Sequence, residues 1–506
     1  MLLLDRQAPP RQPAAAVQTV DERRRTRLVL AAALVVCLGL RLPYMNLSLG
    51  IDEGGVAFIA KAWGTGGHGS LYGAYWLDRP PLLVALYKLA VPGGAVGIRV
   101  LGALAALALV ITTTLVTRAV AGHHAARVAA VLSAGLASSI ALAAVFTPAE
   151  LLAAVPACAS IGCLVAAHRS GQARWLVGAG LLAVTAALIK QSFLDAGFAC
   201  AIFLIAASVR DRRPRLRWAG AYAIGALIPF LPVAAWLLVA HVSPGSLGYA
   251  LIGFRVHALH ALSASSVPLH IRIRSLIGPG VLSGLFVVLL IGTRGIWMLR
   301  RDGVLVVTLV AWLAAGAVGV LAGGSYWSHY LIQLVAPATL LAGAALAGLR
   351  PRLRAPAVIA LAAVAIIGTA GAVAPQRAIR QRSGVVDVGR YVRTHARPGD
   401  TQYVMYAKAN AGYYTGLQSP YPYAWSLLIR AVPGAMPRLL HLLQSPRRPT
   451  WIVGWQPPSS WQLDPGHAIA HALNAHYRVV AHVDGHPIYH RISSSPAPPS
   501  PRRNSL

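Results

Sequence analysis

Residues 28–55 read LVLAAALVVCLGLRLPYMNLSLGIDEGG, an apolar run that leads into a pair of carboxylates. The first part, residues 28–45, is close to the roughly 20 residues that an α-helix needs to cross a bilayer. Asp52 and Glu53 come directly after it, and Asp78 lies in the same polar segment. The chain has only 14 Asp and Glu in all. Three of them beside one membrane helix predict a functional site, because carboxylates near lipid cost free energy.

The composition of the whole chain predicts a polytopic membrane protein. Of its 506 residues, 56% are hydrophobic and 12% are charged, and the mean hydropathy is +0.60. A soluble protein would carry about 25% charged residues. The formal net charge is +31, but the basic residues fall in short clusters between apolar runs. That pattern indicates membrane topology and contact with the anionic lipids of the bilayer, so we expect no nucleic-acid partner.

The apolar runs predict a mostly α-helical protein with about eleven transmembrane helices. The N-terminus is predicted to be cytoplasmic, because every second loop is rich in arginine, and an odd number of spans then places the C-terminal region outside. The Ala-, Arg- and Gly-rich composition suggests a bacterial cytoplasmic membrane. The predicted spans are 28–45, 95–117, 126–146, 150–167, 175–189, 192–209, 218–241, 277–298, 303–322, 331–349 and 355–374.

This topology divides the chain into a membrane domain and an outer domain. Residues 1–27 are predicted to be a disordered cytoplasmic tail, and residues 28–374 form the transmembrane domain with a first outward loop at 46–94. A second outward segment is 242–276. Residues 375–492 are too polar for a membrane and are predicted to form an extracytoplasmic α/β domain. The tail 493–506 is of low complexity and predicted to be disordered.

The α/β prediction for the outer domain depends on strands that alternate with helices. Short β-rich runs lie at 402–406 and 450–454, and a hairpin is predicted near 478–491. Helices are predicted around 391–393, near 427–443 and near 467–476.

The residues of the first outward loop favour a role in acid–base catalysis. The segment 47–89 is too polar to span a membrane and rich in aromatic residues, which suit the membrane interface. A carboxylate such as Asp52 at this position can act as a base on a hydroxyl acceptor. The alternatives are a helix cap, or an ion pair such as Glu53 with Lys61.

The order of motifs in this loop resembles one family of membrane enzymes. Asp52-Glu53 is followed by an Ala-x-x-Trp helix ending at Trp63, by Gly-x-Leu-Tyr ending at Tyr72, and by Asp78-Arg79-Pro-Pro-Leu. It is similar to the first periplasmic loop of GT-C superfamily glycosyltransferases, in the branch of the protein O-mannosyltransferases and the lipid A aminoarabinose transferase. The family has Lys where this chain has Arg79, which keeps the charge but binds anions differently.

Three further motifs resemble the same family at the outer ends of later helices. Phe-Thr-Pro-Ala-Glu150 matches an acidic residue at a helix start, and Leu-Ile-Lys190-Gln matches a recurring Lys-Gln. Ser-His329-Tyr330-Leu-Ile-Gln333 matches a His-Tyr-x-x-Gln helix.

The resemblance implies an enzyme that takes a sugar from a polyprenyl-phosphate donor and passes it, with inversion, to a hydroxyl acceptor outside the membrane. Asp52 would be the general base, with Glu53 beside it. Cationic side chains would hold the donor phosphate, since arginine forks match phosphate well. The phosphate candidates are Lys190, Arg79, Arg255 and Arg272, and the other site candidates are Asp78, Glu150, His329 and Tyr330.

Several alternatives stay open. The chain could instead be a transporter or flippase of polyprenyl-linked lipids, or a lipid-binding relative without activity. No cofactor is certain. A divalent metal is possible near the Asp-Glu pair, whereas His257, His260 and His270 are too loosely spaced to favour a metal site over a solvated loop. The sugar is not readable, and the acceptor is a glycan, lipid or protein hydroxyl. Aromatic residues that could stack on a sugar, or simply pack the core, are Tyr413, Tyr414 and Trp425.

Overall fold

The structure is a computed structural model that describes residues 14–64, 70–213, 215–263, 268–350 and 384–492, with a few positions between 352 and 363. Helices dominate it. They are α1 (Ala14–Arg41), α2 (Ile51–Ala62), α3 (Pro81–Ala90), α4 (Gly94–Leu136), α5 (Ala149–Ser170), α6 (Arg174–Ile189), α7 (Asp195–Asp211), α8 (Leu216–Leu227), α9 (Phe230–Val239), α10 (Pro244–Gly248), α11 (Phe254–Ser263), α12 (Leu269–Leu282), α13 (Leu285–Met298), α14 (Gly303–Ala322), α15 (Val335–Ala347), α16 (Val385–His395), α17 (Ala409–Thr415), α18 (Ser426–Ala431), α19 (Ala435–Gln444) and α20 (Ala468–His476).

The chain forms two compact units that do not follow the order of the sequence. Unit 1 comprises Met1–Leu47, Arg79–Val239 and Ser265–Ala378. Unit 2 comprises Ser48–Asp78, Ala240–Ala264 and Ile379–Leu506.

Unit 1 contains the membrane helices. Among the described residues, six helical segments are long and apolar enough to cross a membrane, or seven if α12 and α13, bent by 71°, count as one broken span. Ten of the eleven predicted spans coincide with a helix or a helix pair, some of them shorter than the length needed to span alone. The eleventh, 355–374, lies largely outside the described residues. The predicted tails at 1–13 and 493–506 also lie outside them.

Two features of unit 1 differ from the expectation. Helix α1 begins at Ala14, so residues 14–27 are helical rather than part of a disordered tail, and Glu22 pairs with Arg127 at 2.7 Å. The predicted span 126–146 ends early, at Leu136. The buried Arg41 guanidinium lies beside residues 137–146. It donates hydrogen bonds to the carbonyl oxygens of Ala137 and Phe146, at 3.1 and 2.9 Å. A buried cation needs these oxygens, which a continued helix would use itself.

Unit 2 contains the predicted α/β fold. Strands β1 (Gln402–Val404), β2 (Trp451–Val453), β3 (Tyr477–Val483) and β4 (His486–Arg491) form one sheet in the order β1-β2-β4-β3. The pair β1 and β2 is parallel, and the other two pairs are antiparallel. The two predicted strands and the hairpin are therefore confirmed. Valines of α16 pack on this sheet: Val385, Val388 and Val392.

Unit 2 also gathers parts of the three segments that were predicted to face outward. A β-bridge pairs Trp76 of the first segment with Tyr423 of the last. The Arg430 guanidinium donates to the Ala261 carbonyl oxygen at 3.0 Å, which ties the second segment to the last. Residues more than 300 positions apart in sequence thus form one packed body.

Candidate functional site

The Asp52-Glu53 pair lies in the first turn of α2, in unit 2. Gly50 precedes the helix, and its backbone N–H donates to the Glu53 carboxylate at 2.8 Å. Glu53 is buried, whereas Asp52 is exposed. The positive end of a helix dipole stabilises carboxylates at this position. The adjacent acids therefore differ in what they do: Glu53 caps the helix, and Asp52 is left available to a ligand.

The last segment of the chain holds Asp52 in place. The indole Nε1–H of Trp425 donates to Asp52 Oδ1 at 3.1 Å. Just before the helix, the Leu49 backbone N–H donates to the Tyr414 hydroxyl at 2.7 Å, and the Leu49 carbonyl accepts from the Asn410 amide at 2.9 Å. Trp425 and Tyr414, considered above as sugar-stacking residues, thus contact the loop and carboxylate of the candidate site, and Tyr414 also packs against the sheet core.

The two glycines after Glu53 permit this close packing. A Cβ on Gly54 would lie 2.4 Å from Asn410 Cβ, and a Cβ on Gly55 would lie 2.4 Å from the Trp425 ring. Contacts under 3.0 Å force a neighbour to move. The Gly-Gly pair is therefore required by contact with residues near the other end of the sequence.

We expect Gly54→Ala to lower the stability of the protein. Alanine usually favours a helix interior, but here the overpacking against Asn410 should cost about 1–3 kcal/mol. Thermal unfolding in detergent measures it. The matched control is Gly39→Ala in α1, where a Cβ meets nothing within 4 Å. Equal melting temperatures for the two variants would contradict the packing of α17 on α2.

If Asp52 is the general base of a sugar transfer, as the sequence predicts, Trp425→Phe should lower turnover without changing the affinity for the sugar donor. Phenylalanine keeps most of the ring but removes the N–H bonded to Asp52, and hydrogen bonds to charged groups are worth about 1.5–3 kcal/mol when shielded from water. Because Asp52 is exposed, we expect a fall in kcat of only about 3- to 10-fold. Steady-state kinetics beside Trp461→Phe, an exposed tryptophan of the same unit, checks this. A changed donor KM with unchanged kcat would contradict the positioning role.

Asp78 forms an ion pair within unit 2. The Arg255 guanidinium lies 2.8 Å from the Asp78 carboxylate and also donates to its carbonyl oxygen at 3.2 Å. Arg255 comes from α11, in the second predicted outward segment. Two of the predicted site residues are thus brought together, in an ion pair that joins the first predicted outward segment to the second.

A second cluster lies in unit 1, where the other three motifs converge. Lys190 Nζ, at the end of α6, lies 2.8 Å from the buried Glu150 carboxylate at the start of α5. The His329 ring nitrogen is 3.9 Å from the same carboxylate. Lys190 also lies over the Tyr330 ring, 5.1 Å from its centroid, and Arg79 adds a favourable charge interaction with Glu150. Four residues predicted from three separate motifs form one charged cluster, in which all but the half-buried His329 are buried.

Near this cluster the structure places Asp195, which sequence reasoning missed, close to Gln333 of the His-Tyr-x-x-Gln motif. The buried Asp195 accepts from the Trp312 indole at 3.0 Å, and Gln333 donates to the Ser192 carbonyl at 3.0 Å. Gln333, in the helical segment Ser328–Leu334, thus binds the turn between α6 and α7 rather than a neighbouring helix. An acid inside a predicted span is itself a sequence signal, and that signal could have identified Asp195.

The remaining candidates lie elsewhere. Arg272, in α12 of unit 1, donates to the Gly324 carbonyl at 3.3 Å. His257 contacts the Tyr249 hydroxyl at 3.3 Å, while His260 and His270 are exposed. Within the part of the chain that the structure describes, no group of three or more His, Cys, Asp or Glu is arranged to hold a metal ion.

Comparison with known proteins agrees with this architecture. Residues 78–236 match the sequence model of the dolichyl-phosphate-mannose-protein mannosyltransferase family. The structure resembles ArnT from Cupriavidus metallidurans bound to undecaprenyl phosphate, with a TM-score of 0.65 and 18% identity over 92% of this chain and 98% of that one. It also resembles the Archaeoglobus fulgidus oligosaccharyltransferase complex with Zn and sulfate, with a TM-score of 0.54 and 15% identity over 84% of this chain and 67% of that one. AglB from the same organism, in complex with an inhibitory peptide and a dolichol-phosphate, has a TM-score of 0.50 and 14% identity over 85% and 69% of the two chains. No curated protein sequence matches the chain significantly.

The chain is a multi-pass membrane protein with the fold of the GT-C glycosyltransferases. More particularly, the fold is ArnT-like, since the likeness to ArnT extends over more than nine-tenths of both chains. The resemblance that the motifs indicated is therefore confirmed.

Proposed function

We propose that this protein transfers a sugar from a polyprenyl-phosphate donor to a hydroxyl acceptor. The observation that carries the proposal is the exposed Asp52 carboxylate, fixed at a helix start by Glu53 and Trp425. The match of residues 78–236 to a mannosyltransferase family supports it. So does the fold shared with a protein solved with undecaprenyl phosphate and with another solved with a dolichol-phosphate and a peptide.

Asp52 acts as the general base in the proposed reaction. It accepts the proton of the acceptor hydroxyl, whose oxygen attacks the anomeric carbon while the bond to the polyprenyl phosphate breaks. Attack from the face opposite the leaving phosphate inverts the anomeric centre. A single carboxylate suffices, because phosphate leaves readily without the acid that a glycosidase needs for its poorer leaving group. Glu53 supports this base through the helix cap.

The departing phosphate needs positive charge. Lys190 is the foremost candidate, because a lysine can carry its charge to the level of the lipid headgroups. Glu150 and Tyr330 contact it directly, and His329 lies against the same Glu150 carboxylate. Arg79 adds positive charge near Glu150. Arg255 and Arg272 are the weaker candidates, since no family motif contains them; like Lys190, each already has a partner, Asp78 for Arg255 and the Gly324 carbonyl for Arg272.

The reaction is proposed to take place on the outer face of a bacterial cytoplasmic membrane, with the N-terminus in the cytoplasm. The arginine-rich loops support that orientation. Residues 375–492 would then form part of the extracytoplasmic body, together with the first two outward segments. The lipid bilayer is the partner of unit 1, and a glycan, lipid or protein hydroxyl is the acceptor.

Release of polyprenyl phosphate tests the proposal. The purified protein in detergent is mixed with a panel of polyprenyl-phosphate sugars, candidate acceptors and a divalent cation, and the freed lipid phosphate is quantified. Turnover of one donor identifies the reaction class and the sugar together. Donor that binds without turnover over the whole panel would favour a non-catalytic relative, and movement of labelled donor across vesicles would favour a flippase.

A further inference from the structure

Unit 2 contains a cavity of about 550 Å³ that no predicted catalytic residue lines. This volume lies inside the range of about 300–1,000 Å³ that small-molecule sites occupy. Its walls come from all three outward segments of unit 2. They include Trp76 from the first segment, Ser246 and Tyr249 from the second, and Tyr423 and Arg438 from the last.

The aromatic wall of the cavity is held rigidly. Trp76 is 5% exposed, and its backbone N–H donates to the Pro422 carbonyl at 3.2 Å. Its ring packs against Tyr423 and Phe254 at centroid distances of 5.9 and 5.2 Å, and against Tyr249 at 6.1 Å. Aromatic rings combine an apolar face with a polar tip, so a fixed wall of them suits the C–H faces and hydroxyls of a sugar ring.

The charge in the cavity is positive. Arg438, on α19, is its one charged lining residue, and none of the described lining residues is acidic. Arg438 is exposed and forms no ion pair with another described residue. Ser246 and Tyr249 add hydroxyl groups, and the Tyr249 hydroxyl lies 3.3 Å from His257 Nδ1. A guanidinium beside neutral hydroxyls matches an oxyanion surrounded by sugar oxygens.

The cavity is linked to Asp52 through a short extended segment. Tyr423 lines the cavity, and Trp425, two residues further on, donates to Asp52. Two residues of extended chain span about 7 Å. One wall of the cavity and the contact of the proposed base therefore belong to the same short stretch of chain, residues 423–425.

We propose that this cavity binds the acceptor, and that the acceptor is a saccharide carrying an anionic group such as a phosphate or a carboxylate. That the bound saccharide is the acceptor rests on the proposed function. That the cavity binds an anionic saccharide does not. The donor also pairs a sugar with a phosphate, so the test must separate the two sources.

Equilibrium binding to the full-length protein in detergent provides the first arm. The probes are mannose 6-phosphate, glucose 6-phosphate and glucuronate, each beside its neutral methyl glycoside, together with inorganic phosphate. We expect an anionic sugar to bind at least about tenfold more tightly than its neutral partner, as expected for one charge-assisted contact. Arg438→Gln should remove this preference, while Arg447→Gln, an exposed arginine of the same unit outside the cavity, should keep it. Ser246→Phe, which fills the cavity, should weaken the binding of every sugar.

Three results would overturn the site. They are no binding by any anionic sugar, equal binding of inorganic phosphate and the sugar phosphates, or a preference that survives in Arg438→Gln. Because this arm needs no turnover, such a failure is distinct from a failure of the proposed reaction.

The second arm assigns the source of the saccharide. In the transfer assay, Arg438→Gln should raise the KM for the acceptor about tenfold and leave the KM for the polyprenyl-phosphate donor unchanged. A raised donor KM with an unchanged acceptor KM would assign the cavity to the donor sugar and overturn the acceptor role. Binding of anionic sugars by a protein that turns over no donor would count against the proposed function and not against the site.

Discussion

Asp52→Asn should reduce the release of polyprenyl phosphate by about 10²- to 10⁴-fold, the usual contribution of a general base. Asparagine keeps the size of the side chain and can still accept the Trp425 hydrogen bond through its amide oxygen, but it cannot take a proton from the acceptor. The loss should therefore appear in kcat, with the donor KM within a factor of about two. Initial rates with saturating donor and acceptor measure it.

The control for this variant is Asp387→Asn, which makes the same change at an exposed aspartate of unit 2 on α16, where the partner is Arg390. Its rate should equal that of the wild type, and both variants should unfold at the same temperature as the parent, because each changes an exposed side chain. Full activity in Asp52→Asn would assign the base elsewhere. A lower melting temperature together with lower activity would indicate that Asp52 serves the fold.

Lys190→Met should both destabilise the protein and weaken donor binding. The lysine is buried and pairs with Glu150 at 2.8 Å, and removing one partner of a buried ion pair costs about 3–5 kcal/mol because the other charge is left uncompensated. If Lys190 also contacts the donor phosphate, the donor KM should rise by about 10- to 100-fold, as expected for a hydrogen bond between charged groups.

The double variant Glu150→Gln with Lys190→Met separates these two effects. Neutralising both partners removes the unpaired charge, so thermal stability should return toward that of the wild type, while donor binding should remain weak. Lys61→Met, at an exposed lysine of α2, is the matched control for loss of one positive charge. Recovery of both stability and donor KM in the double variant would mean that the pair is structural and that another cation holds the phosphate.

Local patterns of the sequence predicted most of the elements. The strands at 402–404 and 451–453 and the hairpin 477–491 follow β-rich runs between turns, and each depends on neighbouring residues. The span 126–146 was wrong beyond Leu136, because its last ten residues are as apolar as a helix but pack around Arg41. Hydropathy cannot predict that a cation distant in the sequence needs backbone carbonyl oxygens as hydrogen-bond acceptors.

The candidate site was predicted only in part. The motifs containing Glu150, Lys190 and His329 were found separately, and the structure brings them into one cluster. The partner of Asp52 was not predicted, because Trp425 is 373 positions away along the chain. Asp195 was missed although it lies inside the predicted span 192–209, because it is so close to the start of that span that it resembles a residue of the preceding loop.

The sequence by itself determined that this is a membrane protein, which segments are apolar enough to span, and which acids, bases and cations could carry the chemistry. The bilayer imposes those properties on each segment separately, so each segment's own sequence shows them. Only the tertiary structure decided that Glu53 caps the helix while Asp52 stays exposed, and that Gly54 and Gly55 make room for Asn410 and Trp425. These roles depend on packing between residues far apart in the chain, and the free energy of such contacts is set by distances that no local pattern contains.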